Sequence, residues 1–419
     1  MHFDHRSPDN LHPTYRTLLV KQTQYYKLSI KMTVRPLKVI SVVGARPQIV
    51  KASAISRAFK KKYPNEVEEV IVHTGQHYDK NMSEVFFHEM GIPSPHYNLE
   101  AGSHGHAKQT AIILERSEEI LLKEKPNFVV LFGDTNSTLA VSLAAIKLQI
   151  PIVHIEAGLR SFNKTMPEEI NRIVCDHASS LLFTPTRTGL NNLIREGFKP
   201  HNKAPWTPDN PGVFHCGDVM YDNSLYFAKE AEKKSDILKK AGVEEKGFVL
   251  ATIHRDNNTD QPERLNAIFQ GILDVVELGK LDVVMPLHPR TSKLMEQNLN
   301  PELFSLVTNN PRFHILPPVS FFDILLLEKK CSLVMTDSGG LQKEAFFFKK
   351  PCIILRSETE WTEITESGSA IICDADTDRI VAAYEHFKEL PEFQFPSVFG
   401  DGDAAGFICK EIVKVGKSK

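Results

Sequence analysis

Three acids stand where a carboxylate can act on a bound ligand. Asp134 follows the apolar run 129–132, Glu156 follows the run 152–155, and Glu168 follows Pro167 at the start of a predicted helix. Short Val/Ile/Leu-rich runs of this kind predict buried parallel strands. The Ala/Leu-rich stretch 136–148 between them predicts the crossover helix of a βαβ unit. Ligands of open α/β sheets sit outside the carboxyl ends of the strands, so Asp134 and Glu156 are expected to share one crevice. Glu168 is expected in a first helical turn, where the N-terminal dipole favours a carboxylate. Carboxylates gathered in this way suit proton transfer to and from a substrate.

The elements that must position these acids can be followed along the chain. The first strand, 38–43, ends in Gly44-Ala-Arg-Pro47, and Pro47 can open the helix that carries Lys51. A tightly bound dinucleotide would call for GxGxxG at this turn, and the turn lacks it. Arg46 and Lys51 instead place two cations at a strand-to-helix turn, where an anionic ligand also feels the helix dipole. A second strand, 70–73, leads to His73-Thr-Gly-Gln-His77, and helices are expected over 82–90 and 107–124. Strands and helices then alternate to 213–216, with 199–212 read as a Pro-rich surface loop.

A second α/β series is expected from 248 onward. Its strand 333–336 leads into Asp337-Ser-Gly-Gly340 and a helix over 341–348. A strand, a turn of small residues and a helix start together make an anion cradle in which backbone N–H groups and the Ser338 hydroxyl can hold a diphosphate. Gly339 lets a ligand approach the backbone, and Glu344, one turn in, can accept hydrogen bonds from a ribose diol. A plain capping turn would explain the same residues. His254-Arg255 ends the strand 248–253 and is expected to face this cradle as an acid or an anion ligand. His73, His77, His104 and His106 lack acid or cysteine partners at ligand spacing, so no metal and no cofactor is expected.

Composition bounds the rest. A chain of 419 residues with net charge −2 fits two domains and argues against nucleic acid or a membrane surface as partner. The expected units are an extension over 1–35, a first Rossmann-like domain over 36–222, a second over 223–399, and a last helix within 400–419 that crosses back. No apolar run approaches the ~18 residues of a membrane span. Cys175, Cys216, Cys331, Cys352, Cys373 and Cys409 are scattered without CxxC spacing, which suits buried free thiols in a cytoplasmic protein.

Eight stretches, in this order, carry a resemblance. They are GARPQIVK (44–51), HTGQHYD (73–79), GDTNST (133–138), HIEAGLRS (154–161), PEEINR (167–172), HRDN (254–257), TDSGGLQKEA (336–345) and TEWTE (359–363). The set resembles the non-hydrolysing UDP-N-acetylglucosamine 2-epimerases. The resemblance implies a GT-B fold, two Rossmann-like domains facing across a cleft, and usually a homodimer. It implies a UDP-sugar substrate, interconversion of UDP-GlcNAc and UDP-ManNAc, and no NAD. It places the family's acid/base carboxylates on Asp134, Glu156 and Glu168, and its catalytic or pyrophosphate-contacting histidine on His254. Its basic residues fall on Arg46 and Lys51, and its UDP turn on Ser338, Gly339 and Glu344. Arg160, in the HIEAGLRS run, is expected among the substrate-binding cations. Gln76 falls near the place where some bacterial members bind a second UDP-GlcNAc as allosteric activator.

Two stretches depart from the commonest family pattern. Trp361-Thr362 stands where an Arg-Pro pair is usual, and Asp218-Val-Met-Tyr-Asp222 stands where Asn-Thr-Val-Ile-Asp is usual. Both resemble the subgroup acting on UDP-2,3-diacetamido-2,3-dideoxy-glucuronic acid. The remaining rivals are a GT-B glycosyltransferase, which needs an acceptor, and a sugar-nucleotide sensor without catalysis. The epimerase chemistry explains why three acids are wanted. C2 of a 2-acetamido sugar is not alpha to a carbonyl, so simple deprotonation leaves a carbanion with no enolate. Removing the proton as UDP leaves C1 gives neutral 2-acetamidoglucal instead. That route needs a base on one face, an acid on the other, and positive charge at the diphosphate. Which acid serves which face stays open from sequence.

Overall fold

The computed structural model describes residues 35–76, 87, 91–390 and 393–418. The extension expected over 1–35 and the helix expected over 82–90 therefore lie, but for Arg35 and Phe87, outside the described residues, as does His77. The first half opens with β1 (Leu37–Val43), α1 (Arg46–Lys62), β2 (Val67–His73), β3 (Tyr97–Asn98) and α2 (His106–Glu124). It continues with β4 (Phe128–Phe132), α3 (Asn136–Lys147), β5 (Ile152–Ile155), α4 (Pro167–Ala178), β6 (Leu181–Thr184), α5 (Arg187–Arg195) and β7 (Gly212–His215). Next come α6 (Val219–Lys234) and α7 (Ile237–Ala241).

The second half runs through β8 (Phe248–Thr252), α8 (Asp256–Thr259), α9 (Pro262–Gly279), β9 (Asp282–Pro286), α10 (Pro289–Asn298), α11 (Pro301–Asn309) and β10 (Phe313–Leu316). It ends with α12 (Phe321–Lys330), β11 (Leu333–Thr336), α13 (Gly339–Phe347), β12 (Cys352–Ile354), α14 (Thr362–Glu366), β13 (Ala370–Ile372), α15 (Thr377–Glu389) and α16 (Ala404–Lys417).

Two wholly parallel sheets result, ordered β3-β2-β1-β4-β5-β6-β7 and β10-β9-β8-β11-β12-β13. Helices cover both faces, so each central strand is buried on both sides and reads as a continuous apolar run; β4 (FVVLF) is buried at every position. Strand order reverses between β1 and β4 in one sheet and between β8 and β11 in the other. Such switch points open the crevice where α/β folds bind ligands. The GARP and GDTN turns flank the first, and the HRDN and DSGG turns flank the second. The edge strands β3 and β13, of 2 and 3 residues, escaped the sequence reading because they are too short to show a period.

The halves join through two chain crossings that touch. Gly217 leads from β7 into α6, and Phe399-Gly400 leads back to α16; the Asp218 amide donates to the Phe399 carbonyl oxygen at 2.9 Å. Gly217 has φ +86, and a Cβ there would lie 2.7 Å from that same oxygen, so only glycine fits. The boundary expected at 222 falls inside α6, so the change of half is a helix, not a loop. Asp222 on α6 accepts the Ala404 and Ala405 amides at 3.1 and 2.8 Å, capping α16. α16 then packs on α1 of the first half, with Lys62 and Asp403 paired at 2.9 Å. Around the crossings the rings of Tyr221 and Phe347 stack at 4.8 Å, and Phe399 meets Phe347 and Trp361.

Candidate active site

Parallel pairing of β4 and β5 sets Phe132 beside Ile155, so Asp134 and Glu156 leave the sheet at the same edge. Their turns are tightly drawn together: a Cβ on Gly133 would lie 3.4 Å from both Glu156 Oε2 and Lys51 Nζ. Lys51, from α1, is ion-paired with Glu156, and the two side chains are only 13% and 11% exposed. Burial disfavours the Glu156 charge, but Lys51 and Lys343 outweigh it and hold the carboxyl below the usual range despite nearby Asp134. Glu156 also carries φ +74, an uncommon conformation for a residue with a side chain. Strain of this kind persists where the surroundings over-determine it, as they do at functional sites.

Asp134 is paired with Arg172 of α4 at 2.5 Å, and its backbone carbonyl accepts from Asn171 at 2.9 Å. Arg172 lies four residues beyond Glu168, on the same face of α4. Glu168 is exposed in the first turn of that helix, as expected of a carboxylate there. Its neighbour Glu169 is buried and accepts the Ser161 and Phe162 amides at 2.9 and 3.0 Å, which ties the preceding loop to the helix. Arg46 is exposed at the start of α1. Gln48 locks that turn to the next: it accepts the Gly44 amide at 2.8 Å and donates to the Phe132 carbonyl oxygen at 2.7 Å.

Across the cleft, Asp337 ends β11 fully buried and organises the second switch point. It accepts from the His254 and Arg255 amides and from Asn258, and lies 3.0 Å from His254 Nδ1. Burial disfavours its charge, but the His254 ring and these amides outweigh it and hold the carboxyl low. His254 is thus oriented by Asp337 with half of its side chain in solvent. Ser338 caps α13 by accepting the Leu341 amide at 3.4 Å. A cavity of about 150 Å³ lies beside this turn among Arg255, Asn257, Asn258, Arg356, Ser357 and Glu358. A larger one, about 240 Å³, lies at the crossings among Tyr221, Phe346, Phe347, Phe395, Phe399 and Asp401.

Lys343, passed over in the sequence, joins the two halves. From α13 it pairs with Asp218 at 2.7 Å, both side chains buried, and its ammonium sits 4.1 Å above the Trp361 ring. The two departures from the family pattern, Asp218 and Trp361, therefore meet on one lysine. Glu344 follows it, and burial pushes its carboxyl up to about 7 against the pull of Lys343, with Asp218 adding to the rise.

Two expected site residues are buried and paired. The Arg160 side chain is 1% exposed, held by Asp176 at 2.8 Å and by Glu196 at 2.6 Å. A guanidinium so deeply buried must be paired, and these acids supply the pairing. Gln76 is also buried, its side-chain oxygen accepting from the Ser137 hydroxyl at 2.7 Å, so its amide braces α3. Of the residues not anticipated, Arg172 had a signal, its place in PEEINR four residues after Glu168. Lys343 stands likewise in TDSGGLQKEA, but its pairing had no signal, since its partner Asp218 is remote in sequence.

Comparison with known proteins agrees with this geometry. The family model of UDP-N-acetylglucosamine 2-epimerase matches residues 60–413. A UDP-N-acetylglucosamine 2-epimerase homolog of Methanococcus maripaludis is 42% identical over 370 residues, 88% of this chain and 97% of that protein. The UDP-2,3-diacetamido-2,3-dideoxy-D-glucuronate 2-epimerase of Pseudomonas aeruginosa is 42% identical over 380 residues, covering 90% of this chain and 100% of that one. The solved UDP-GlcNAc 2-epimerase of Methanocaldococcus jannaschii superposes with a TM-score of 0.78 at 38% identity, over 90% of this chain and 100% of that one. The fold is thus the GT-B-like pair of Rossmann-like domains, and the chain belongs to the UDP-N-acetylglucosamine 2-epimerase family.

Proposed function

We propose that the chain interconverts UDP-N-acetylglucosamine and UDP-N-acetylmannosamine, by eliminating UDP to 2-acetamidoglucal and adding it back. One observation supports this most: two strand-end acids are each partnered by a cation, and one of them, Glu156, lies in the field of Lys343 on the helix that follows the anion cradle. Glu156 and Asp134, with Glu168 at the start of α4, are the acids and bases for the two faces of C2. Arg46, Lys51, His254 and the Ser338-Gly339 turn stabilise the departing diphosphate. Closure of the two halves about the Gly217–Gly400 crossings, between 36–222 and 223–399, keeps the glucal from water. A second copy of the chain as partner, and the cytoplasm as its place, are carried by the family resemblance and by cysteine usage.

A second reading takes UDP-2,3-diacetamido-2,3-dideoxy-glucuronic acid as substrate. It is favoured by the meeting of Asp218 and Trp361 on Lys343, together with the Pseudomonas relative of that name. Proton NMR with UDP-GlcNAc in D₂O separates the two. Deuterium at C2 with accumulating UDP-ManNAc is expected; an inert UDP-GlcNAc beside an exchanging diacetamido uronate would replace the first reading by the second. If both substrates stay inert, the epimerase reading fails.

The UDP half gives its own expectation. Ribose hydroxyls donate to ionised Glu344, whose pKa is raised to about 7 by burial. Protonation therefore removes the acceptor as pH falls through 7, and affinity is lost on the acid side. Calorimetry should show UDP binding weakened by up to about 10-fold between pH 8 and 6, beyond the change that Glu344→Gln shows from titration of UDP itself. Ser338→Ala and Glu344→Ala should weaken UDP at pH 8. Unchanged affinity in both would reject this site.

A further inference from the structure

His154 lies on β5 beneath the two catalytic turns, fully buried. Its Nε2 is 2.8 Å from the Gly133 carbonyl oxygen and its Nδ1 is 2.7 Å from Asp176 Oδ1. A carbonyl oxygen can only accept, so Nε2 carries a hydrogen. Asp176 accepts from its other sides as well: its Oδ2 takes the Gly158 amide at 3.1 Å and the Arg160 guanidinium at 2.8 Å. A buried carboxyl with this many donors is ionised, and it accepts from Nδ1 too. Both ring nitrogens therefore donate. Neither neutral tautomer can serve both partners, and the ring is an imidazolium.

The two bonds reach the residues that shape the site. Gly133 immediately precedes Asp134, and Gly158 lies two residues past Glu156. Glu156 has φ +74, a conformation that a residue with a side chain keeps only with outside support, while Gly133 and Gly158, at φ +60 and +79, take theirs freely. The charged and titratable groups that face the ring are Cys175 and Asp176 from α4, with Arg160 and then Glu196 behind Asp176. Burial disfavours charge on the ring, but Cys175 and Asp176 outweigh it and hold its pKa well above the ordinary histidine range.

We propose that His154 is a permanently charged positioning residue, one imidazolium that fastens the Asp134 turn through Gly133 and the Glu156 turn through Asp176 and Gly158. The role rests on the reading of Asp134 and Glu156 as the acids. A fixed positive charge below them also favours their ionised forms.

Nitrogen-15 NMR of the histidine rings in the full chain tests the charge directly, with His154→Asn identifying the signal. Two protonated nitrogens are expected at pH 8, without titration between pH 6 and 9; a neutral ring pattern at pH 8 would overturn the proposal. His154→Asn keeps an amide donor toward Asp176 and loses the bond to Gly133. It is expected to lower kcat about 10²-fold through misplacement of the turns, with KM little changed. The acid limb of its kcat–pH profile should rise by on the order of one unit. A folded variant with lower thermal stability and an unmoved profile would reduce His154 to plain packing and overturn the role. If the variant does not fold, a parent ring that keeps both protons across the whole range identifies itself by that behaviour, and a parent spectrum in which every ring is neutral at pH 8 overturns the proposal. Parental turnover in Asp134→Asn and Glu156→Gln would strike the acid assignment, and this role with it, while leaving the ring spectrum untouched.

Discussion

Glu156→Gln is expected to lower turnover by about 10²–10⁴-fold, the range for a lost acid or base. The structure adds a second consequence. Lys51 is buried with Glu156, so the neutral amide leaves an ammonium 13% exposed without its counter-charge. The variant should therefore unfold earlier, and turnover has to be measured on protein shown to be folded. Asp134→Asn is expected to lower turnover similarly but to cost less stability, since Arg172 keeps its second partner, Glu169, at 3.2 Å. Glu168→Gln separates chemistry from stability: the side chain is exposed at a helix start, so turnover should fall while the melting temperature stays near that of the parent. Full activity in all three variants would remove the acids from the mechanism.

Lys343→Met is expected to destabilise the fold by about 3–5 kcal/mol, because it strands Asp218 as a buried charge. The same change removes the cation over Trp361 and one of the two lysines that hold the Glu156 carboxyl low. Denaturant unfolding measures the first effect, and the acid limb of the pH–rate profile measures the second. With Lys343 gone, Glu156 should ionise at higher pH, so activity should be lost earlier on acidification. Adding Asp218→Asn should recover much of the stability, since neither partner is then left charged, and it should not restore the profile. Parental stability in Lys343→Met would show that the pair does not join the two halves. The α13 helix and the strand-end acid Glu156 are therefore coupled. One ammonium touches Asp218 at the crossing, Trp361 beside the cradle and, through its field, Glu156.

Much of the architecture was legible one-dimensionally because parallel strands covered on both faces are forced to be apolar throughout. Runs such as FVVLF and IVHI therefore mark strands, and the Ala/Leu-rich stretch between them marks a crossover helix. The candidate acids followed from the same logic: ligand groups in such sheets sit just past the strand ends, and Asp134 and Glu156 stand there. The tertiary structure alone decided how each charge is partnered. Lys343 and Asp218 lie on different halves, and Arg160 and Asp176 are joined only when the turn after β5 folds onto α4. Sequence periodicity reports which face of an element is apolar, and it carries no term for the distance between charges on different elements. The resemblance gave Arg160 and Gln76 as ligand-side groups, and only the tertiary structure shows their buried partners, Asp176 and Ser137. For the same reason His154 reads as one more strand residue until its two acceptors are in place. The chain's composition and spacing determined the two sheets, their open edges and the acids at them; three-dimensional packing determined which of those groups face a ligand and which hold the others still.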